Sequence, residues 1–198
     1  ILDAKLVVVG DIPEYEVTYN YSYNGNVVKT VTHTVAEGSD YPAYDLGLYG
    51  ASYENVPTGT VTEDSEVTIN VTFSLPFEFA ATYDAIGENW YYLSIGQAGY
   101  LLYHVDDASF IALDRTVVDE ANKDAYLWAF VGNPFDGYKL VNRAKGDGWV
   151  LSSSTNTFDG NTGGNTYPIM TSESDLAGKN TYWIPTKSTN LGDGGFYL

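Results

Sequence analysis

A chain of 198 residues has room for one or two domains, and 44% hydrophobic residues are enough to pack a core, which excludes a disordered segment. Acidic residues number 26 against 9 basic ones, a net charge of -17, which excludes phosphate backbones and anionic membrane surfaces as partners. Without cysteine there is no disulfide framework and no thiolate metal site, and no apolar run approaches a membrane span. Tyrosine is abundant (18 residues), and with Thr and Val it suits a half-buried pleated surface. Twenty glycines and seven prolines supply frequent turns, so the expected fold class is all-β.

The first domain is expected over about residues 1–80. The opening run Leu6–Val9 is apolar enough for a buried strand or for the tail of a preceding module. Val17, Tyr19, Tyr21 and Tyr23 then alternate with polar residues, the period of a strand with one buried face. Asn24-Gly25 follows as a hairpin turn, because both residues accept positive φ, and a return strand runs from about Val27 to Val35. Tyr41-Pro42 and Pro57-Thr58-Gly59 mark turns around a short segment near Tyr49–Asn55. A second clean alternation, Val67, Ile69, Val71 and Phe73, closes the domain. His33 has no second ligand at metal spacing and reads as an ordinary strand side chain. Asn70-Val71-Thr72 matches a glycosylation acceptor and reads as a chance match.

Over Glu16–Phe73 this order of hairpin, Gly-and-Pro stretch, Pro-Gly turn and closing strand resembles the small β-grasp-like repeats of bacterial surface proteins, of the mucin-binding-protein and internalin B-repeat kind. An immunoglobulin-like half-sandwich reads nearly the same and stays open. The resemblance implies a spacer or adhesive module.

From about residue 81 to 198 the chain repeats itself. Tyr91-Tyr92-Leu93 returns as Tyr138-Lys139-Leu140 and again as Phe196-Tyr197-Leu198. Gly99-Tyr100-Leu101-Leu102 matches Gly148-Trp149-Val150-Leu151, and Tyr126-Leu127-Trp128 matches Thr181-Tyr182-Trp183. Such self-similarity means one supersecondary unit copied until the copies bury each other. Each copy reads as four short strands, near 91–95, 100–105, 110–113 and 126–131 in the first and near 138–144, 149–153, 167–171 and 182–186 in the second. Three four-stranded copies make a β-trefoil. The third copy begins only at Phe196, so the expectation is a truncated trefoil, its third lobe missing, within a piece of a longer polypeptide.

Gly137-Tyr138-Lys139-Leu140-Val141-Asn142 followed by Gly148-Trp149-Val150-Leu151, with Trp128 and Trp183 late in each copy, resembles the ricin-type β-trefoil lectin family. The resemblance implies core positions for the two tryptophans and carbohydrate as ligand. Two family positions differ: Tyr126 and Thr181 replace the glutamine before each tryptophan, and Tyr103 and Ser152 replace the sugar-gripping aspartate.

Sugar recognition needs an aromatic face and a few hydroxyl-binding side chains. The candidate ligand-binding residues are Trp149, Asp147, Asp159, Asn161 and Tyr167 in the second copy, with Tyr103 and Asp106 in the first. Asp159–Asn165 spaces oxygen ligands loosely like a calcium loop but lacks the closing glutamate, so neither metal nor other cofactor is expected. The two histidines, His33 and His104, fall in different domains, and no nucleophile elbow or phosphate loop is present, so no catalytic residues are assigned. The expected function is that of a non-enzymatic, carbohydrate-binding or adhesive fragment of a larger secreted or cell-surface bacterial protein. Its partners would be glycan, bound weakly and multivalently, and other domains of the same polypeptide; nucleic acid and membrane insertion are not expected. The alternative is a scaffold or protein-interaction module with no small ligand.

Overall fold

The computed structural model describes residues 10–95, 100–104, 111–114, 120–154, 167–176, 181–187 and 196–197. The fold is all-β, with two short 3-10 stretches among the described residues. The chain divides into two compact units, Ile1–Ser74 and Leu75–Leu198. The apolar run Leu6–Val9 lies outside the described residues.

In the first unit, β1 (Glu14–Tyr23) and β2 (Asn26–Ala36) form the expected hairpin. Its turn residues Asn24 and Gly25 have φ of 51° and 78°, both left-handed, which matches the twist of the flanking strands. β3 (Ala51–Glu54) and β4 (Ser65–Phe73) complete a sheet of order β2-β1-β4-β3. The central pair β1–β4 is parallel and both flanking pairs are antiparallel.

Alternation decides which face is buried. Val17, Tyr19 and Tyr21 of β1 are fully buried together with Ile69 and Val71 of β4 and with Val61. Parallel neighbours cannot be joined by a tight turn, and the chain between β2 and β3 passes over this buried face. The Tyr19 hydroxyl donates to the Pro42 carbonyl (2.8 Å) and the Tyr21 hydroxyl to the Tyr44 carbonyl (2.7 Å). A buried phenol needs such a partner, so the tyrosines fill the core and pin the crossing segment together. His33 lies against the Tyr19 ring at 5.5 Å. The opposite face is polar: Thr18 and Thr32 share a hydrogen bond (3.0 Å), and Thr30 donates to Asn20 (2.7 Å).

In the second unit β5 (Phe79–Ala80), β6 (Tyr91–Tyr92), β10 (Leu127–Asn133) and β11 (Gly137–Asn142) share one sheet. β7 (Ser94–Ile95), β8 (Tyr100–His104) and β9 (Ile111–Asp114) form a second, β12 (Trp149–Ser154) with β13 (Tyr167–Ser172) a third, and β14 (Thr186–Lys187) with β15 (Phe196–Tyr197) a fourth. The repeat seen in the sequence recurs in the pairing. Tyr91 pairs with Trp128 in the first copy, and the matching Tyr138 pairs with Trp183 in the second. The Trp128 indole donates to the Leu102 carbonyl (2.9 Å), and the Trp183 indole donates to the carbonyl of the matching Leu151 (3.0 Å).

Trp128 is fully buried in a cluster with Phe77, Phe130, Tyr138, Leu151 and Met170, against which Trp183 is packed half-buried. Phe77, which the sequence pattern assigns to the end of the first domain, stacks on Phe130 at 3.9 Å, and β5 pairs in parallel with β10. The strand expected near 182–186 is reduced to a bridge at Trp183 and the two residues of β14. Pro185 accounts for this, since it has no N–H to offer a ladder.

Two glycines hold the β10–β11 hairpin close. Gly132 has φ +142°, and a Cβ there would stand 2.4 Å from the Gly137 carbonyl oxygen; at Gly137, φ +95°, a Cβ would meet the Trp183 carbonyl at 3.1 Å. Gly132→Ala is therefore expected to destabilise the second unit by at least about 1 kcal/mol in denaturant titrations, through both backbone strain and contact with backbone atoms. Trp128→Phe leaves the Leu102 carbonyl without its buried donor, and a loss of about 1–3 kcal/mol is expected in the same measurement.

The first unit makes a different prediction. Burial raises the pKa of Tyr19 and Tyr21 above the ordinary value of 10.0, and the neighbouring Tyr21 and Tyr53 respectively add to it. The folded state holds these protons more tightly than the unfolded chain. Their contribution is complete below about pH 10 and is lost as pH rises through the folded values. Stability followed by near-UV circular dichroism is expected to fall steeply above about pH 10, and less steeply in Tyr19→Phe.

Candidate functional site

Of the expected ligand-binding residues, Trp149, Asp147, Tyr103 and Tyr167 fall among the described residues. Trp149 opens β12, half-buried, with its ring packed against the core cluster and the Lys145 ammonium 4.1 Å from the ring centroid. Its ring therefore already has an apolar backing and a cationic neighbour, a cation–π arrangement. On the paired strand, Trp149 faces Ser172 whereas Tyr167 faces Ser154, at the other end of the hairpin. Five residue steps separate the two positions, about 17 Å along the strand, too far for one sugar ring. Tyr103 stacks on the buried Tyr126, with centroids 4.8 Å apart and planes at 19°. Asp106, Asp159 and Asn161 lie outside the described residues, as does the loop 159–165.

Asp147 belongs with other residues. Its carboxylate accepts the Gly148 N–H (2.8 Å) and acts electrostatically on the Tyr83 phenol. Around Tyr83 the chain assembles an aromatic and charged patch that the sequence pattern did not disclose. Tyr83 opens the 3-10 turn Tyr83–Ala85, and Trp90 stands immediately before β6. Their rings meet edge to face at 6.1 Å and 71°. Gly87, with φ +59°, turns the chain between them, and the Trp90 indole donates to the Gly87 carbonyl (3.1 Å). The Arg143 guanidinium, just past β11, lies 5.7 Å from the centroid of the Trp90 ring, and its Nε is 3.4 Å from Asp124.

Both rings are half-buried. Their inner sides pack with a second apolar cluster that includes Ile86, Ala129, Val141 and Val150. Burial raises the Tyr83 pKa, Asp147 and Asp84 raise it further, and Arg143 opposes them. The phenol thus stays a protonated donor at neutral pH. The patch offers two apolar ring surfaces, a five-donor guanidinium, a phenol and a carboxylate.

One signal for this patch was available in the sequence. The repeat offset that matches Tyr91 with Tyr138 places Gly137 opposite Trp90. Trp90 is thus a large aromatic that the repeated scaffold does without in its second copy. A second charged group on an aromatic, Lys139 hydrogen-bonded to Glu173 (2.6 Å) and 5.7 Å from the Tyr182 ring, lies at an exposed position of the second copy. Among the described residues no group of three or more His, Cys, Asp or Glu is placed to hold a metal ion, and no helix is long and apolar enough to cross a membrane. Comparison with protein families, curated proteins and solved structures finds no match.

Trp149→Ala removes a ring backed by the core. It is expected to lower the stability of the second unit by about 2 kcal/mol in equilibrium unfolding, less than the 3–5 kcal/mol of a fully buried tryptophan.

Proposed function

We propose that the chain is a non-catalytic carbohydrate-binding or adhesive segment of a larger secreted or cell-surface protein, and that the Trp90–Tyr83 patch is its sugar-contacting surface. The observation that carries this reading is the patch itself. Two half-exposed rings at a steep angle offer flat apolar faces to the C–H side of a pyranose, with Arg143 and Asp147 beside them to donate to and accept from hydroxyls. The parallel central pair of the first unit supports the β-grasp-like reading, and the repeated Tyr–Trp pairing of the second supports the trefoil-like one. In this reading the first unit is a spacer and affinity comes from several weak contacts in one polypeptide.

A scaffold module without a small ligand is the second reading. The ring contacts within the second unit favour it: Trp149 is engaged by Lys145, Tyr103 by Tyr126 and, at the longer distance of 5.7 Å, Trp90 by Arg143. Glycan-array screening followed by calorimetry separates the two. The expected result is weak binding that survives calcium chelation and falls at least about tenfold in Trp90→Ala, a change of roughly 1.4 kcal/mol. Undiminished affinity in a folded Trp90→Ala would move the site elsewhere. An empty array across host and plant glycans would leave the scaffold reading.

A further inference from the structure

We propose that the outer edge of β2 pairs two copies of this chain, strand to strand and antiparallel, into a continuous eight-stranded sheet. Among the described residues β2 is one rim of the first unit's sheet and β3 is the other. The two rims differ in kind: β2 runs for 11 residues and β3 for 4. An uncovered edge presents a row of unpaired N–H and C=O groups, and proteins usually blunt such edges by shortness, proline or charge. β3 is short. β2 has no proline, Lys29 as its one Lys, Arg, Asp or Glu residue, and seven β-branched residues among Val27, Val28, Thr30, Val31, Thr32, Thr34 and Val35. Val27 and Val28 are 58% and 43% exposed.

Charge selects the occupant. The chain carries 26 acidic residues, yet none falls between Glu16 and Glu37, so all of β2 and the part of β1 from Val17 onward are free of them. Two copies of a protein with net charge -17 repel almost everywhere, but not along this rim. The strand is also self-complementary. Overlap of Lys29–His33 with a second copy, the stretch beyond the β-bulge opposite Tyr21 and Ser22, centres the two-fold axis on Val31. That register sets Thr30 opposite Thr32, both from the same face of the sheet, and threonine pairs of this kind stabilise antiparallel neighbours. Pairing through one strand buries less than the roughly 1,600 Å² of a standard interface, so the dimer is weak and reversible.

The test uses the whole chain, in which cysteine is absent. Sedimentation velocity from about 1 µM to about 1 mM is expected to show a monomer–dimer equilibrium that strengthens with added salt, because screening relieves the repulsion of the acidic remainder. Val31→Cys places two thiols on the axis, with Cα atoms about 4.5–5.5 Å apart, within disulfide reach. Mild oxidation is expected to yield a disulfide dimer, while Ser52→Cys on the short β3 rim yields little under the same conditions. A sample that stays monomeric throughout the concentration range, or cross-linking no faster at Val31→Cys than at Ser52→Cys with circular dichroism unchanged, overturns the proposal.

Discussion

In each copy of the second unit a tryptophan indole donates to the carbonyl of a leucine on the adjacent hairpin, Trp128 to Leu102 and Trp183 to Leu151. This contact ties a tryptophan late in each copy to a leucine carbonyl earlier in the same copy, with a large ring that is fully buried at Trp128 and half-buried at Trp183. Burying so much apolar surface is favourable only when the one polar atom of the ring is satisfied. The tryptophan therefore fixes both the spacing of the sheet and the orientation of the hairpin. The Tyr91–Trp128 and Tyr138–Trp183 pairings, the glycine pair at 132 and 137, and the stacking of Phe77 on Phe130 are all arranged around it.

The first unit solves the same problem with phenols. Tyr19 and Tyr21 reach across the core to carbonyls of the segment that crosses their face, so hydrogen bonds to Pro42 and Tyr44 hold a stretch that has no strand partner of its own over most of its length. Both units join a buried aromatic to a backbone carbonyl of a connecting segment. This explains how a chain with few long strands and no disulfide keeps irregular connections in place.

Much of this architecture is legible in the residues. Alternation from Val17 to Tyr23, the Asn24-Gly25 turn and the alternation from Val67 to Phe73 give β1, β2 and β4 because each signal is local, a matter of period and of permitted φ. The repeat is legible because matched positions must supply matched core residues. The parallel pairing of β1 with β4 is not legible, since no short-range pattern records which distant strand lies alongside. The same holds for the joint: Leu75-Pro76-Phe77 looks like an ending until Phe77 is seen stacked in the next core. Trp149 is ambiguous in the sequence for a related reason. An aromatic on an amphipathic strand looks alike whether its ring meets solvent or a lysine from its own approach loop. Trp90 is faint in the sequence because it lies just outside the repeating frame, with Gly137 at the matched position.

The parallel arrangement at the centre of the first unit has a mechanical corollary. Because β1 and β4 run the same way, the polypeptide enters that sheet at one end and leaves it at the other. Tension applied along the chain would act parallel to both strands, straining the hydrogen bonds from Val17–Ser65 to Ser22–Asn70 in concert instead of peeling them one by one. A module built this way resists stretching by shear across a whole row of hydrogen bonds, a stiffer response than opening them one at a time.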